Sequence, residues 1–431
     1  MSHPWQHRRL PGGLSLAVQC RPGPAVLSAR LWIRGGSSAD PAGQRGLHQL
    51  LAGVLSRGCG SLDAEALADL VEGRGAALRC EASEDGLVLG LKCAAEDGPD
   101  LLPLLVAMVR QPHLEPDQVE LERQLNLQTL QRQQEDPFQL AHDQLRQQLF
   151  AAGPYGHDPL GVEEELEGLG AEQLQALLPG LGQAGAVLVL CGAVEAGAIA
   201  ALEEALAATP WQPAEPAASP GPAAAGGARL QACHQDTEQL VLMLGAATVP
   251  LGDPDGVALR LLQAHLGMGM SSRLFLVMRE EHGLAYDVGV HLPARRGAAP
   301  FVWHLSSSAE RAGQACGCLV DEWQRMLDQA LTPAELELAK AKYLGQDAMG
   351  RQTCSQIADR QALVTGHGLP QDFVAASLEQ ARHLDAEQLL AVARRRLAKP
   401  HLSLCGPRAA VAAASASWRA HPLAADVSAG C

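Results

Sequence analysis

Aromatic residues are scarce in this chain of 431 residues, at 6 Trp, 3 Tyr and 5 Phe. Any core must therefore be filled by Leu, Val and Ala, and with 47% hydrophobic residues such cores are available. Positive charge is also short: 33 Lys+Arg face 48 Asp+Glu, a net charge of −15. That balance excludes a dedicated nucleic-acid binder, whose affinity comes from clustered Lys and Arg on phosphates, and the single basic run, Arg394-Arg395-Arg396, reads as a helix end. CxxC pairs are absent, and the 11 cysteines are odd in number and scattered, which argues against a disulfide framework or a thiolate zinc cage and for free thiols in a reducing compartment. Long apolar runs are missing too. The N-terminus, MSHPWQHRRLPGG, has no apolar segment, and the most apolar stretch, 184–207, is interrupted by Glu195 and Glu203. These features predict a cytoplasmic protein without a membrane span.

What is present divides the chain nearly in half. Residues 209–228, TPWQPAEPAASPGPAAAGGA, hold five prolines without apolar periodicity and predict a linker between a domain at 1–208 and a second at 229–431. In the first half, 14–20 and 25–34 alternate like strands, 44–55 has helical spacing, 77–80 and 86–93 form a strand pair, and 99–109 and 116–150 read as helices. In the second half, 230–233 and 239–244 look like strands and 254–266 like a helix; a strand pair at 286–290 and 301–305 precedes helices at 309–328, 333–344 and 355–364. Asp63 is placed to cap one helix, and Thr332-Pro333 followed by Glu335 opens another. Cys316 and Cys318 fall within the first of those three helices as buried thiols. The expected fold is two similar α+β units in tandem.

Four stretches carry a resemblance. They are Leu31 to Ala52 (LWIRGGSSADPAGQRGLHQLLA), Glu122 to Leu130 (ERQLNLQTL), Pro154 to Gly161 (PYGHDPLG), and Gly267 to Phe275 (GMGMSSRLF) continuing to Tyr286. Together they resemble the pitrilysin-type (M16) zinc peptidases over essentially the whole chain. The resemblance implies two homologous domains, each a mainly antiparallel sheet packed with helices. It also implies a helix bearing H-x-x-E-H, in which two His at i and i+4 hold zinc, the Glu acts as general base, and a later Glu completes the ligands.

Aligned on Gly46-Leu47-His48, the first His is His48, the base position holds Leu51, the second His position holds Ala52, and the third ligand position falls on Thr129. Leu51 transfers no proton, Ala52 has no donor atom, and Thr129 is a neutral hydroxyl where a carboxylate is needed. No zinc is expected in this chain. His48 then reads as a helix-start residue with one ring nitrogen bonded to a neighbour, and Leu51 as part of an apolar face with Leu47, Leu50, Val54 and Leu55.

The second half keeps its motif. Arg279-Glu-Glu-His-Gly-Leu-Ala-Tyr286 resembles the family segment R-E-x-x-G-L-A-Y, whose Arg and Tyr face the zinc site across a closed chamber. Arg279 is suited to a substrate carbonyl or carboxylate and Tyr286 to an oxyanion, brought together by a turn at Gly283. The resemblance implies a non-catalytic subunit of a two-subunit M16B-type peptidase. It would act on unfolded peptide beside a catalytic subunit that carries the intact motif and its zinc. Two alternatives stay open: a structural or chaperone-like homodimer in which Arg279 and Tyr286 are vestigial, and an independent peptidase with another metal site. The acidity is uneven, with a balance of −13 over residues 1–208 and −1 over 229–431.

Overall fold

The computed structural model describes residues 4–151, 153–183, 185–209, 211 and 228–425. The linker predicted at 209–228 lies outside these apart from Thr209, Trp211 and Ala228. In chain order the first half contains β1 (Gln6–Arg9), β2 (Ser15–Cys20), β3 (Val26–Arg34), α1 (Leu47–Val54), β4 (Ala77–Ala82), β5 (Gly86–Ala94), α2 (Pro116–Gln133), α3 (Pro137–Phe150), β6 (Ala186–Gly192) and α4 (Ala196–Ala208). The second half contains β7 (Leu230–His234), β8 (Gln239–Ala247), α5 (Gly256–Gly267), a π-helical turn (Phe275–Glu281), β9 (Asp287–His291) and β10 (Pro300–Ser308). It continues with α6 (Ala312–Asp328), α7 (Pro333–Met349), α8 (Cys354–Gly366), α9 (Ala386–Arg396), β11 (His401–Gly406) and α10 (Arg408–Ala420). Among the described residues no helix is long and apolar enough to cross a membrane.

The two halves share one topology. The first sheet runs β1-β2-β6-β3-β5-β4 and the second β9-β10-β8-β11-β7. Read from the opposite edge and without β1, the first order becomes β4-β5-β3-β6-β2, the same pattern. Each sheet has one parallel pair, β2 with β6 and β7 with β11, and every other pairing is antiparallel. The expected pair of mainly antiparallel sheets packed with helices is what the chain forms.

The single helix expected over 116–150 is two. Pro137 disfavours helical geometry at Asp136, whose carboxylate caps the new helix by accepting from the Phe138 N–H at 2.9 Å. The predicted caps at Asp63 and Thr332 are present: Asp63 accepts from the Ala66 N–H at 2.9 Å, and Glu335 reaches back to the Thr332 N–H at 2.9 Å.

The central strands of each sheet are buried on both faces. In the first, Leu16, Val18, Leu31, Ile33, Leu188 and Leu190 point into the main core, which α1 and α4 also line. The alternating residues Ala17, Trp32, Val187, Val189 and Cys191 form a second layer with Ile357, Ala358 and Ala362 of α8. The second sheet repeats this with Leu242, Leu244, Trp303 and Leu404 on one face, and Val241, Met243, Val302 and Cys405 against Ala141, Leu145 and Leu149 of α3 on the other. The compact units therefore cut across the halves of the sequence. One comprises the described residues of Met1–Leu130, Asp158–Ala218 and Ala348–Phe373, and the other those of Gln131–His157, Ser219–Asp347 and Val374–Cys431. A sheet exposing apolar residues on both faces needs a cover on each, and the second cover comes from the other half of the chain.

Candidate functional site

In the first unit α1 starts at Gly46, whose φ of +106° lets the chain turn in from the Asp40 loop. Asp40 accepts from the Gly46 N–H at 2.7 Å and the His48 N–H at 3.0 Å, and its carboxylate lies 2.6 Å from His48 Nδ1. His48 is only 4% exposed, and a Cβ built at Gly35 would stand 3.1 Å from its Nε2. The ring is thus enclosed on both nitrogens and fastens the Asp40 loop to the helix start. Leu51 and Ala52 are buried in the main core.

The remaining predicted position, Thr129, lies elsewhere, exposed on α2 with its hydroxyl donating to the Leu125 carbonyl at 2.8 Å. The face of α1 that turns toward α2 is marked by Gly53, where a Cβ would sit 2.4 Å from Glu122 Oε2. Glu122 of α2 is itself buried and accepts from Arg57 Nε at 2.7 Å. Only Gln49 and Gly53, one helical turn apart, are half-buried in α1; the rest of the helix is buried. The open face of the helix is therefore the Gln49/Gly53 face, one residue on from His48. Neither that pair nor His48, Leu51, Ala52 and Thr129 offers a zinc donor set, and the Arg57–Glu122 ion pair occupies the space beside Gly53. Among the described residues no group of three His, Cys, Asp or Glu could hold a metal.

The second unit brings its two predicted residues together. The π-helical turn Phe275–Glu281 carries Arg279, and the chain reverses at Gly283, with φ of +58°, before Tyr286 leads into β9. The Arg279 guanidinium lies 4.8 Å from the Phe275 ring centroid and 4.4 Å from that of Tyr286, between two aromatic faces. Its Nη1 also donates to the Tyr286 carbonyl at 3.3 Å. Tyr286 is 81% exposed.

Two further arginines fix the segment. Arg311 donates to the carbonyls of Gly283 and His282 at 2.8 and 2.7 Å, holding the turn from outside. Arg273 grips Glu322 of α6 through two bonds of 2.7 Å, and this pairing raises its pKa above the usual arginine value. Phe275 and Arg311 escape sequence reasoning because neither stands at a spacing that signals its role; the signal is the aromatic at i−4 from Arg279, visible once the turn is known to be helical. The arrangement presents a cation and a phenol on one exposed surface, suited to a peptide carbonyl or carboxylate.

The chain is similar to known proteins over most of its length. Residues 17–161 match the model of insulinase (peptidase family M16), and residues 181–343 that of the peptidase M16 inactive domain. Among solved structures, a peptidase M16 inactive domain from Pseudomonas fluorescens superposes with a TM-score of 0.86 at 24% identity, covering 94% of this chain and 98% of that one. A protease from Helicobacter pylori gives a TM-score of 0.84 at 18% identity, over 94% of this chain and 100% of that one. A zinc protease of Streptomyces coelicolor, itself uncharacterized, is 25% identical over 286 residues, which are 64% of this chain and 61% of its own length. A non-peptidase homolog of Helicobacter pylori is 23% identical over 83% of each chain. With a matching model on each half and one strand order repeated in both sheets, the chain belongs to the peptidase M16 family.

Proposed function

We propose that this chain is the non-catalytic subunit of a two-subunit M16B-type peptidase, working in the cytoplasm on unfolded peptide. The observation that carries the proposal is the contrast between its two sites. On α1 and α2 the positions for a metal and a general base hold His48, Leu51, Ala52 and Thr129 in one register and Gln49, Ala52 and Gly53 in the other, neither a donor set, and an ion pair fills the space beside Gly53. On the second unit the half-buried Arg279 is stacked on the exposed Tyr286, and Arg311 braces the turn between them.

In this reading the lost motif has its register on the open face, with Gln49 and Gly53 in the two His positions and Ala52 in the base position. The zinc belongs to a partner with the intact motif. Arg279 binds a carbonyl or the terminal carboxylate of the peptide, and the Tyr286 hydroxyl is placed to donate to a peptide oxygen as it gains negative charge; the partner's zinc would polarise the scissile carbonyl. The peptide lies as an added strand along a sheet edge of the partner.

The test mixes the purified chain with the product of a neighbouring gene that encodes H-x-x-E-H, and follows cleavage of an unfolded peptide. Cleavage is expected only in the mixture, and Arg279→Ala or Tyr286→Phe should lower kcat/KM by about 10²–10³. Full activity of both variants would refute the role in trans. The Helicobacter relative described as a non-peptidase homolog favours a second reading, a homodimer without proteolysis. That reading predicts a stable dimer and no cleavage in any mixture.

A further inference from the structure

Each sheet carries two neighbouring thiols on the face covered by α3 or α8. Cys191 and Cys405 occupy the same place in the two sheets, the last residue but one of β6 and of β11, each followed by a glycine. Their partners differ. Cys191 meets Cys354 at the first residue of α8, whose Sγ would lie 3.4 Å from a Cβ built at Gly192. Cys405 meets Cys233, the residue directly opposite it on the parallel neighbour β7.

The second pair is built for chemistry that the first is not. Cys405 is fully buried, whereas Cys233 is half-buried on the outermost strand, so one thiol is open to a small solute and the other waits behind it. Cys405 and Gln144 of α3 both favour the Cys233 thiolate. Cys233 is thereby held below the usual thiol range, while Cys405 is pushed up by Cys233 and by burial. By contrast, burial pushes Cys191 up to about 12. Directly opposed residues on neighbouring strands lie about 4.8 Å apart, within the roughly 4.4–6.8 Å Cα separation that disulfides span.

We propose that Cys233 and Cys405 form a peroxide-reactive dithiol, oxidised by hydroperoxides to a disulfide that ties the outermost strand β7 to β11. The Cys233 thiolate attacks one peroxide oxygen, the O–O bond breaks, and the departing hydroxide takes a proton from solvent as the first water. Cys233 is then a sulfenic acid. The Cys405 sulfur attacks the Cys233 sulfur, the S–O bond breaks, and the hydroxyl leaves with the Cys405 proton as the second water. Two thiols lose two electrons, hydrogen peroxide becomes two waters, and a dithiol reductant reverses the change.

The test uses the full reduced chain with one equivalent of hydrogen peroxide at pH 7, after which remaining thiols are blocked with N-ethylmaleimide. Non-reducing tryptic maps should show peptide 230–260 joined to peptide 397–408, and dithiothreitol should release it. In Cys405→Ser, a 1,3-dione probe should capture Cys233 as sulfenic acid; the wild-type map carries the test if that variant fails to fold. The alkylation rate of Cys233 should inflect at a lower pH in the folded chain than in urea, where the usual value of about 8.5 applies. Three results would each overturn the proposal: an inflection near 8.5 in the folded chain, a Cys191–Cys354 link formed in preference, or Cys233 oxidised to sulfinic acid with no link.

Discussion

Substituting two helix glycines by alanine should change stability in opposite directions. Gly366 ends α8, and a Cβ built there would lie 2.4 Å from both Cδ1 and Nε1 of Trp32. The indole cannot move aside, because on its other edge a Cβ at Gly86 would also come within 2.4 Å. Trp32 thus fills a slot that exists only because both residues lack a side chain. Forcing a methyl into a packed site costs about 1–3 kcal/mol, while alanine in place of glycine returns at most about 1 kcal/mol in a helix interior and less at its end. Gly366→Ala should therefore destabilise the first unit by on the order of 1–2 kcal/mol, lowering its thermal midpoint by roughly 2–8 °C for a body of this size. Gly345 in α7 is exposed with nothing within 4 Å of its added Cβ. There the propensity term stands alone, and Gly345→Ala should raise stability by up to about 1 kcal/mol. Differential scanning calorimetry of both variants checks the pair. A higher midpoint for Gly366→Ala would mean that α8 does not seat on the sheet as described.

Further perturbations test other parts. Arg57→Ala leaves the buried Glu122 carboxylate without its cation and should cost about 3 kcal/mol in urea unfolding, with Arg57→Ala/Glu122→Leu recovering much of that loss. Burial holds His265 down to about 4, so the folded chain binds it neutral while the unfolded chain protonates it near 6.5. Its contribution is present above pH 6.5 and fades as pH falls toward 4, a change on the order of 3 kcal/mol that His265→Leu should remove from the stability-versus-pH curve. Metal analysis of the chain purified with added zinc should find well under one zinc per chain, and one bound ion would refute the account of α1.

Most strands of each sheet were legible, the central β3 and β8 included, and so were two helix caps. Two central strands were not. β6, Ala-Val-Leu-Val-Leu-Cys-Gly, is buried on both faces and so shows a continuous apolar run in place of a period of two, and β11 lies between neighbours in the same way. β1 escaped for the opposite reason, since Gln-His-Arg-Arg is exposed throughout and pairs only through its backbone. At the site, the approach of Arg279 to Tyr286 through the turn at Gly283 was readable from their spacing. The face of α1 was not, because periodicity cannot tell whether His48 or Gln49 points outward; burial decides it, through Asp40 on one side and Glu122 on the other.

The borrowed cover helices also set a timetable for synthesis. β6 completes the first sheet once residue 192 is made, but α8 arrives only with residues 354–366, and at about 5–20 residues per second the interval is on the order of ten seconds or more. Throughout it Trp32, Val187, Val189 and Cys191 face water on a finished sheet. α3 has the reverse problem, since it is made early and waits for β11 to complete the sheet it covers. A nascent chain of this protein thus keeps that apolar layer uncovered until its last quarter emerges. A gene cut between the halves would yield two fragments that each lack a layer and become stable only when both are present.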